Sequence, residues 1–269
     1  MNALTLPIVD GWTIAKRNAL KIRRSPDLLT STIMLPSVLI LLFAYVFGSV
    51  IEVPGMSYRE FLLPGIFVQA VIISAQTTGY TLTLDLQKGI FDRFRSLPMA
   101  PSAVLIGQTV SDLLMNLASL VVMAGMGLAV GWRVHSSPYE AVLGFGLLLL
   151  FAYAFSWFTA TVALALRTPE SFNNVATMVS FPLMFVSNAF LDSSKLPTPL
   201  RVFADWNPIS AFTQAARELF GNTSTAMKTS DAWPIQHAVP ASLLWIAIIL
   251  IVFIPLATRL YKKAVSAGG

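Results

Sequence analysis

Three groups of polar side chains stand inside long apolar runs, and each permits a different chemistry. Gln69, Gln76, Tyr80 and Thr83 recur at spacings of 7, 4 and 3, which puts them on one face of a helix. Asn173, Thr177, Ser180 and Ser187 recur in the same manner further on. Amides and hydroxyls so placed can line a path for a solute. They can equally hydrogen-bond neighbouring helices, at about 0.6 kcal/mol per bond, and spacing alone leaves both readings open. The third group is a stripe of Gln108, Asp112, Asn116 and Ser119. Asp112 is the carboxylate placed inside an apolar span. It could relay a proton or hold a cation, or it could be satisfied by its neighbours and cytoplasmic water.

Other chemistries find no support in the residues. His135 and His237 are isolated, with no His-Glu-x-x-His or paired-ligand spacing for a metal. There is no Gly-x-Ser-x-Gly elbow, and the absence of cysteine removes thiol nucleophiles and disulfides. No Gly-x-x-x-x-Gly-Lys-[Ser/Thr] phosphate loop is present, so ATP chemistry has no seat in this chain. Asn222-Thr-Ser224 matches a glycosylation acceptor, a triplet that often arises by chance. No nucleic-acid partner is expected.

The elements that position these groups follow from composition. The chain is 55% hydrophobic and 12% charged, against about 25% charged in soluble domains. It reads as an all-α integral membrane protein, because several apolar runs can cross a hydrocarbon core of about 30 Å. Six spans are expected: 28–50, 61–84, 103–130, 139–166, 172–190 and 239–261. Ahead of them, residues 7–24 place Ile8, Trp12, Ala15, Ala19 and Ile22 on one stripe with Lys16, Arg17, Lys21, Arg23 and Arg24 opposite. That pattern suits an amphipathic helix lying along an anionic leaflet rather than a signal peptide.

Between spans two and three, the 85–98 stretch sets Leu86, Ile90, Phe94 and Leu97 on one face with Phe91 beside it. Asp85, Lys88, Asp92 and Arg95 line the other face, and Pro98 stops the helix. It either rests on the membrane surface or docks into a soluble partner. Between spans five and six, the 191–238 segment holds apolar pieces at 196–203 and 209–220, broken at Asn207-Pro208. These suit two half-helices dipping back into the bilayer, or surface helices on a plain outer loop.

Six spans put both termini on one side, and charge identifies that side. Twelve Lys/Arg lie with the termini, and six (Arg59, Arg133, Lys195, Arg201, Arg217 and Lys228) lie opposite. Both termini and the 85–98 stretch are therefore expected to be cytoplasmic, in the cell membrane. A cytoplasmic position favours docking over resting on lipid.

Two pieces carry a family resemblance: Lys88-Gly-Ile-Phe-Asp-Arg-Phe-Arg-Ser-Leu-Pro98, and Leu196-Pro…Arg201…Asn207-Pro208…Arg217-Glu-Leu219. In this order within a six-span chain, they resemble the permease subunit of ABC-2 type exporters, particularly the daunorubicin-resistance-like drug and lipid permeases. The resemblance implies that 7–24 is a connecting helix, 85–98 a coupling helix and 191–238 a pair of re-entrant helices. It implies an ATPase-coupling interface at Leu86, Lys88, Ile90, Phe91, Asp92, Phe94 and Arg95. It also implies a substrate pathway near a permease dimer interface, drawing on the polar faces of spans two and five. ATP and Mg would bind a separate ATPase subunit, and this chain would hold no cofactor. Its partners would be that ATPase, a second copy or a similar permease, membrane lipids and an amphipathic drug or lipid substrate, with antibiotic resistance as one outcome. The competing expectation is a secondary carrier or membrane scaffold without an ATPase, using Asp112 as a proton or cation site.

Overall fold

Serine, threonine, asparagine and proline decide where the helices begin. The structure, a computed structural model, describes residues 26–89, 101–166, 168–190, 193, 196–226 and 230–266. Its helices are α1 (Pro26–Tyr45), α2 (Tyr58–Gln87), α3 (Pro101–Ala129), α4 (Pro138–Leu166), α5 (Pro169–Phe185), α6 (Thr198–Trp206), α7 (Pro208–Phe220), α8 (Trp233–Gln236) and α9 (Ala238–Ser266). A 3₁₀ turn, Phe47–Ser49, follows α1, and there is no strand among the described residues. The connecting-helix stretch 7–24 and residues 90–98 of the coupling stretch lie outside the described residues.

The N-terminal caps are chemical. Ser57 Oγ accepts the Arg59 N–H at the head of α2, and Thr168 Oγ1 accepts the Ser171 N–H at the head of α5. At α4 the box is reciprocal: Ser137 Oγ accepts from the Glu140 N–H, while Ser137 N–H and O–H both donate to Glu140 Oε2 at 2.9 Å. Four helices among the described residues are long and apolar enough to cross a membrane: α2, the 112–129 part of α3, α4, and α9 as far as Tyr261. The chain is thus a multi-pass, helical membrane protein.

Helices α2 and α4 form the centre. Helix α2 packs against α1, α3, α4, α5 and α7, and α4 also packs against α9. Every side chain from Phe61 to Ile72 is buried, including both polar and apolar members of α2. Helix α7 is wedged between α2, α4 and α9, and its Phe212 ring stacks on Phe151 of α4 at 3.9 Å. Phe151 stands thirteen residues beyond Pro138, about 20 Å along the axis, so α7 enters deep beside α4. Its other end, Phe220, joins Phe67, Trp132 and Phe145 in an aromatic cluster with edge-to-face contacts.

Helix ends differ from the sequence expectation: α1 stops at Tyr45 and α5 at Phe185, short of the expected 50 and 190, and α2 runs longer. Helix α2 continues to Gln87, so Asp85 and Leu86 lie in its last turn and not on a separate helix. Leu86 packs there against a cluster that includes Leu82, Trp157 and Tyr261. Charge does not end a helix that has reached water. Gly89 does, by taking φ +62°, a conformation that favours glycine.

Candidate functional site

Helix α5 stops short. Its seventeen residues span about 25 Å, less than a hydrocarbon core, although the apolar run continues to Phe190. Residues 186–190 are irregular yet largely buried, so their backbone groups need partners from protein. The partners come from sites far along the chain. Asn207 Nδ2 donates to the carbonyls of Leu183 and Val186 at 2.6 and 2.8 Å, while its Oδ1 caps α7 through the Ile209 N–H. Ser210 Oγ accepts the Asn188 N–H, and Tyr58 donates to the Phe190 carbonyl.

Arg217 is the largest contributor. It is 3% exposed, and its Nη2 donates to the carbonyls of Asn188 at 2.8 Å and Ala189 at 3.3 Å. Its Nε donates to the Phe61 carbonyl at 2.9 Å, and the guanidinium lies 3.7 Å from the centre of the Phe61 ring. A cation beside carbonyls at a helix C-terminal end is also favoured by the helix dipole. Two other arginines act alike: Arg59 donates to Ala44 at the end of α1 and to Val130 just past α3, and Arg133 donates to Leu128 and Trp132.

Toward its N-terminal end, α5 lies against α2 along a tight seam. Gly79 makes the approach possible, since a Cβ there would stand 2.2 Å from the Phe172 ring. One turn away, Gln76 Nε2 donates to Ser180 Oγ at 2.7 Å. Two residues from the separate polar faces read in the sequence therefore meet within a single chain.

The other members divide by exposure. Tyr80, Asn173 and Thr177 are exposed. Thr83 is fully buried and donates to the Tyr80 carbonyl at 2.7 Å. Ser187 is buried past the end of α5, where it donates to the Met184 carbonyl and accepts the Ala189 N–H. Gln69 is 8% exposed, and its Oε1 accepts no hydrogen bond from the described residues. Met178, Phe181 and Phe185 share the exposed side of α5, and in the sequence they read as ordinary span residues.

Asp112 is buried on α3 with Asn116 and Ser119; Asn116 Nδ2 donates to the Asp112 backbone carbonyl at 2.9 Å. Of the coupling residues, Leu86 and Lys88 are described, while Ile90, Phe91, Asp92, Phe94 and Arg95 lie outside the described residues. Asn222 is 1% exposed, accepts from Trp132 Nε1 at 2.7 Å and donates to the Arg133 carbonyl. Its amide is engaged on both sides, which opposes use as a glycan acceptor.

Long apolar helices around a fifth helix that ends in buried, irregular backbone sealed by distant side chains describe a multi-pass membrane protein. The chain belongs to the ABC-2 type transporter family, whose profile matches residues 10–220. It is 31% identical to the daunorubicin resistance ABC transporter permease protein DrrB1 of Streptomyces coeruleorubidus, over 92% of this chain and 84% of that protein. It is 25% identical to the doxorubicin resistance ABC transporter permease protein DrrB of Mycobacterium tuberculosis, over 66% of this chain and 61% of that protein. It is therefore a permease subunit of an ABC transporter, not an enzyme.

Proposed function

We propose that this chain is the membrane subunit of an ABC exporter that moves amphipathic drugs or lipids from inside to outside, driven by a separate ATPase. The observation that carries this reading is the α2–α5 seam, where Gln76 donates to Ser180 while Tyr80, Asn173 and Thr177 stand exposed on the same two helices. Polar groups inside spans avoid lipid, so an exposed polar face on α5 calls for a cavity or a second protein surface. A second copy of the chain, or a similar permease, would close the pathway from the other side. The drug-resistance names of both relatives support drugs as one substrate class.

In this reading α1 and α5 complete six spans, with residues 7–24 as the connecting helix and 85–98 supplying the cytoplasmic contact to the ATPase, which holds ATP and Mg. Helices α6 and α7 are the re-entrant pair, a reading supported by the depth at which Phe212 meets Phe151. Both termini are cytoplasmic. Arg59, Arg133 and Arg217 support this orientation, because three of the six outward cations are engaged with backbone carbonyls and are not free outer charges. A cysteine placed at Thr225 is expected to react with an impermeant thiol reagent in intact cells, and one placed at Ser96 is expected to be spared. The native chain has no cysteine to confuse the result. Labelling at Ser96 would reverse the orientation.

The ATPase contact has its own test. Phe94→Ala is expected to remove about 1.5–3 kcal/mol of docking energy, a ten- to hundredfold loss of affinity. Co-purification of the variant with the ATPase, and substrate-stimulated hydrolysis by the pair, measure it. A stable permease that loses its ATPase or its stimulation supports coupling. Full retention with normal stimulation and transport removes the assignment.

A further inference from the structure

Buried apolar side chains among the described residues form two cores, not one. The larger core reaches Ile72 on α2, Ala154 on α4 and Ile246 on α9, and it includes Met184 of α5. The smaller core takes Leu82 on α2, Trp157 on α4, Phe172 on α5 and Ala257 on α9. Only a few partly buried side chains bridge them, Leu250 of α9 among them. Helices α2, α4, α5 and α9 therefore each cross a gap between two separately packed bodies.

Each of the four carries a weak point inside that gap. Between Ile72 and Leu82 the buried residues of α2 are Ser74, Ala75, Thr78 and Gly79, all of them small. Thr77, Thr78 and Thr81 donate back to the carbonyls of Ile73, Ser74 and Thr77. Such bonds compete with the helix's own N–H donors and let a helix bend. On α4, Ser156 donates in the same way to the Ala152 carbonyl at 3.0 Å. Pro182 stands inside α5 and Pro255 inside α9, and each removes one backbone hydrogen bond and crowds the preceding turn.

The levels on the two central helices agree. The Phe67 and Phe145 rings are 6.2 Å apart, and further along Leu82 shares the smaller core with Ala160, so α2 and α4 run side by side in one direction. Counted from that ring pair, Thr78 comes level with Ser156 and Thr81 with Thr159. The gap thus crosses both helices at one height.

We infer that this level is a hinge, at which the smaller core tilts as a body against the larger one while α2 bends at Thr77–Thr81, α4 at Ser156, α5 at Pro182 and α9 at Pro255. The hinge belongs to the chain alone and holds or fails apart from the exporter reading. Under that reading it has a consequence. Residues 85–98 begin in the last turn of α2, where Leu86 packs on the smaller core, so a pull by the ATPase turns that core and carries Phe172 and the base of α5 with it.

The test reads distances between pairs of spin labels by pulsed electron resonance, on the full chain in lipid nanodiscs. Labelled chain is diluted with unlabelled chain, so that only distances within one chain are seen. Exposed Val142 and Leu244 label the larger body, and exposed Gln87 and Glu170 the smaller. A bend of about 15° displaces a point about 22 Å away by about 6 Å. The pairs Val142–Gln87 and Leu244–Glu170 are therefore expected to spread over about 6 Å more than Val142–Leu244 and Gln87–Glu170. Thr78→Val/Thr81→Val/Pro255→Ala removes two back-bonding hydroxyls and returns an N–H to α9. It is expected to narrow the two crossing pairs toward the width of the others. Crossing pairs no broader than the rest overturn the inference, as does equal breadth in all four pairs. A folded triple variant that keeps the full spread overturns it as well, and the comparison among parent pairs decides the matter if that variant does not fold.

Discussion

Arg217→Met is expected to destabilise the protein by about 3–5 kcal/mol, a large part of the 5–15 kcal/mol that holds most domains folded. Methionine fills much of the same space but offers no donor. Asn188 and Ala189 would then keep buried carbonyls in irregular backbone without the Nη2 that now serves both. An orphaned buried acceptor costs about 1–3 kcal/mol, and the hydrogen bond to Phe61 and the ring contact are lost as well. Arg217→Lys is expected to recover only part, because one ammonium cannot reproduce a planar fork aimed at carbonyls on two segments. Thermal unfolding in detergent should fall by roughly 10 °C for the Met variant. A variant that melts within about 2 °C of the parent would show that the break in α5 is held by something else.

Gly79→Ala tests the seam, and two magnitudes oppose each other there. Alanine is the better helix former by about 1 kcal/mol. Against that, its Cβ would lie 2.2, 2.6 and 3.1 Å from three atoms of the Phe172 ring, which is 1% exposed and has no open space to enter. Overpacking of this kind costs about 1–3 kcal/mol or more, so the net effect is a loss, together with separation of Gln76 from Ser180. Phe172→Leu alone leaves a cavity and also destabilises. Combined, the two changes should be less harmful than their sum, with a coupling of about 1–2 kcal/mol in a double-mutant cycle. Additive effects would mean that Gly79 and Phe172 do not confine one another.

The helices were legible where the backbone carries punctuation. Ser137-Pro138, Thr168-Pro169 and Asn207-Pro208 mark starts that any reading of caps and prolines finds. At the end of α2 the sequence points to Asp85, the edge of the apolar run, whereas the helix ends at Gly89, whose positive φ is the stronger signal. The end of α5 was hidden for a different reason. Pro182 is consistent with a weak point, but the apolar run does not falter before Phe190, and the groups that stabilise the break lie at Asn207 and Arg217. Likewise, each polar face of the seam could be read from its own spacing, but not that Gln76 meets Ser180. Nor could the stacking of Phe43 on Phe190 be read, because the two become neighbours only in the folded chain.

The break in α5 also sets an order of assembly. The carbonyls of Leu183, Val186, Asn188 and Ala189 receive their donors from residues 21 to 29 positions further along the chain. At typical synthesis rates of about 5–20 residues per second, those donors emerge roughly one to six seconds after the segment that needs them. During that interval the end of α5 carries acceptors that hydrocarbon cannot satisfy. In the six-span reading proposed above, the nascent α5 waits beside water or the insertion machinery until α7 arrives, and its release into the bilayer is a late, coupled event of biogenesis.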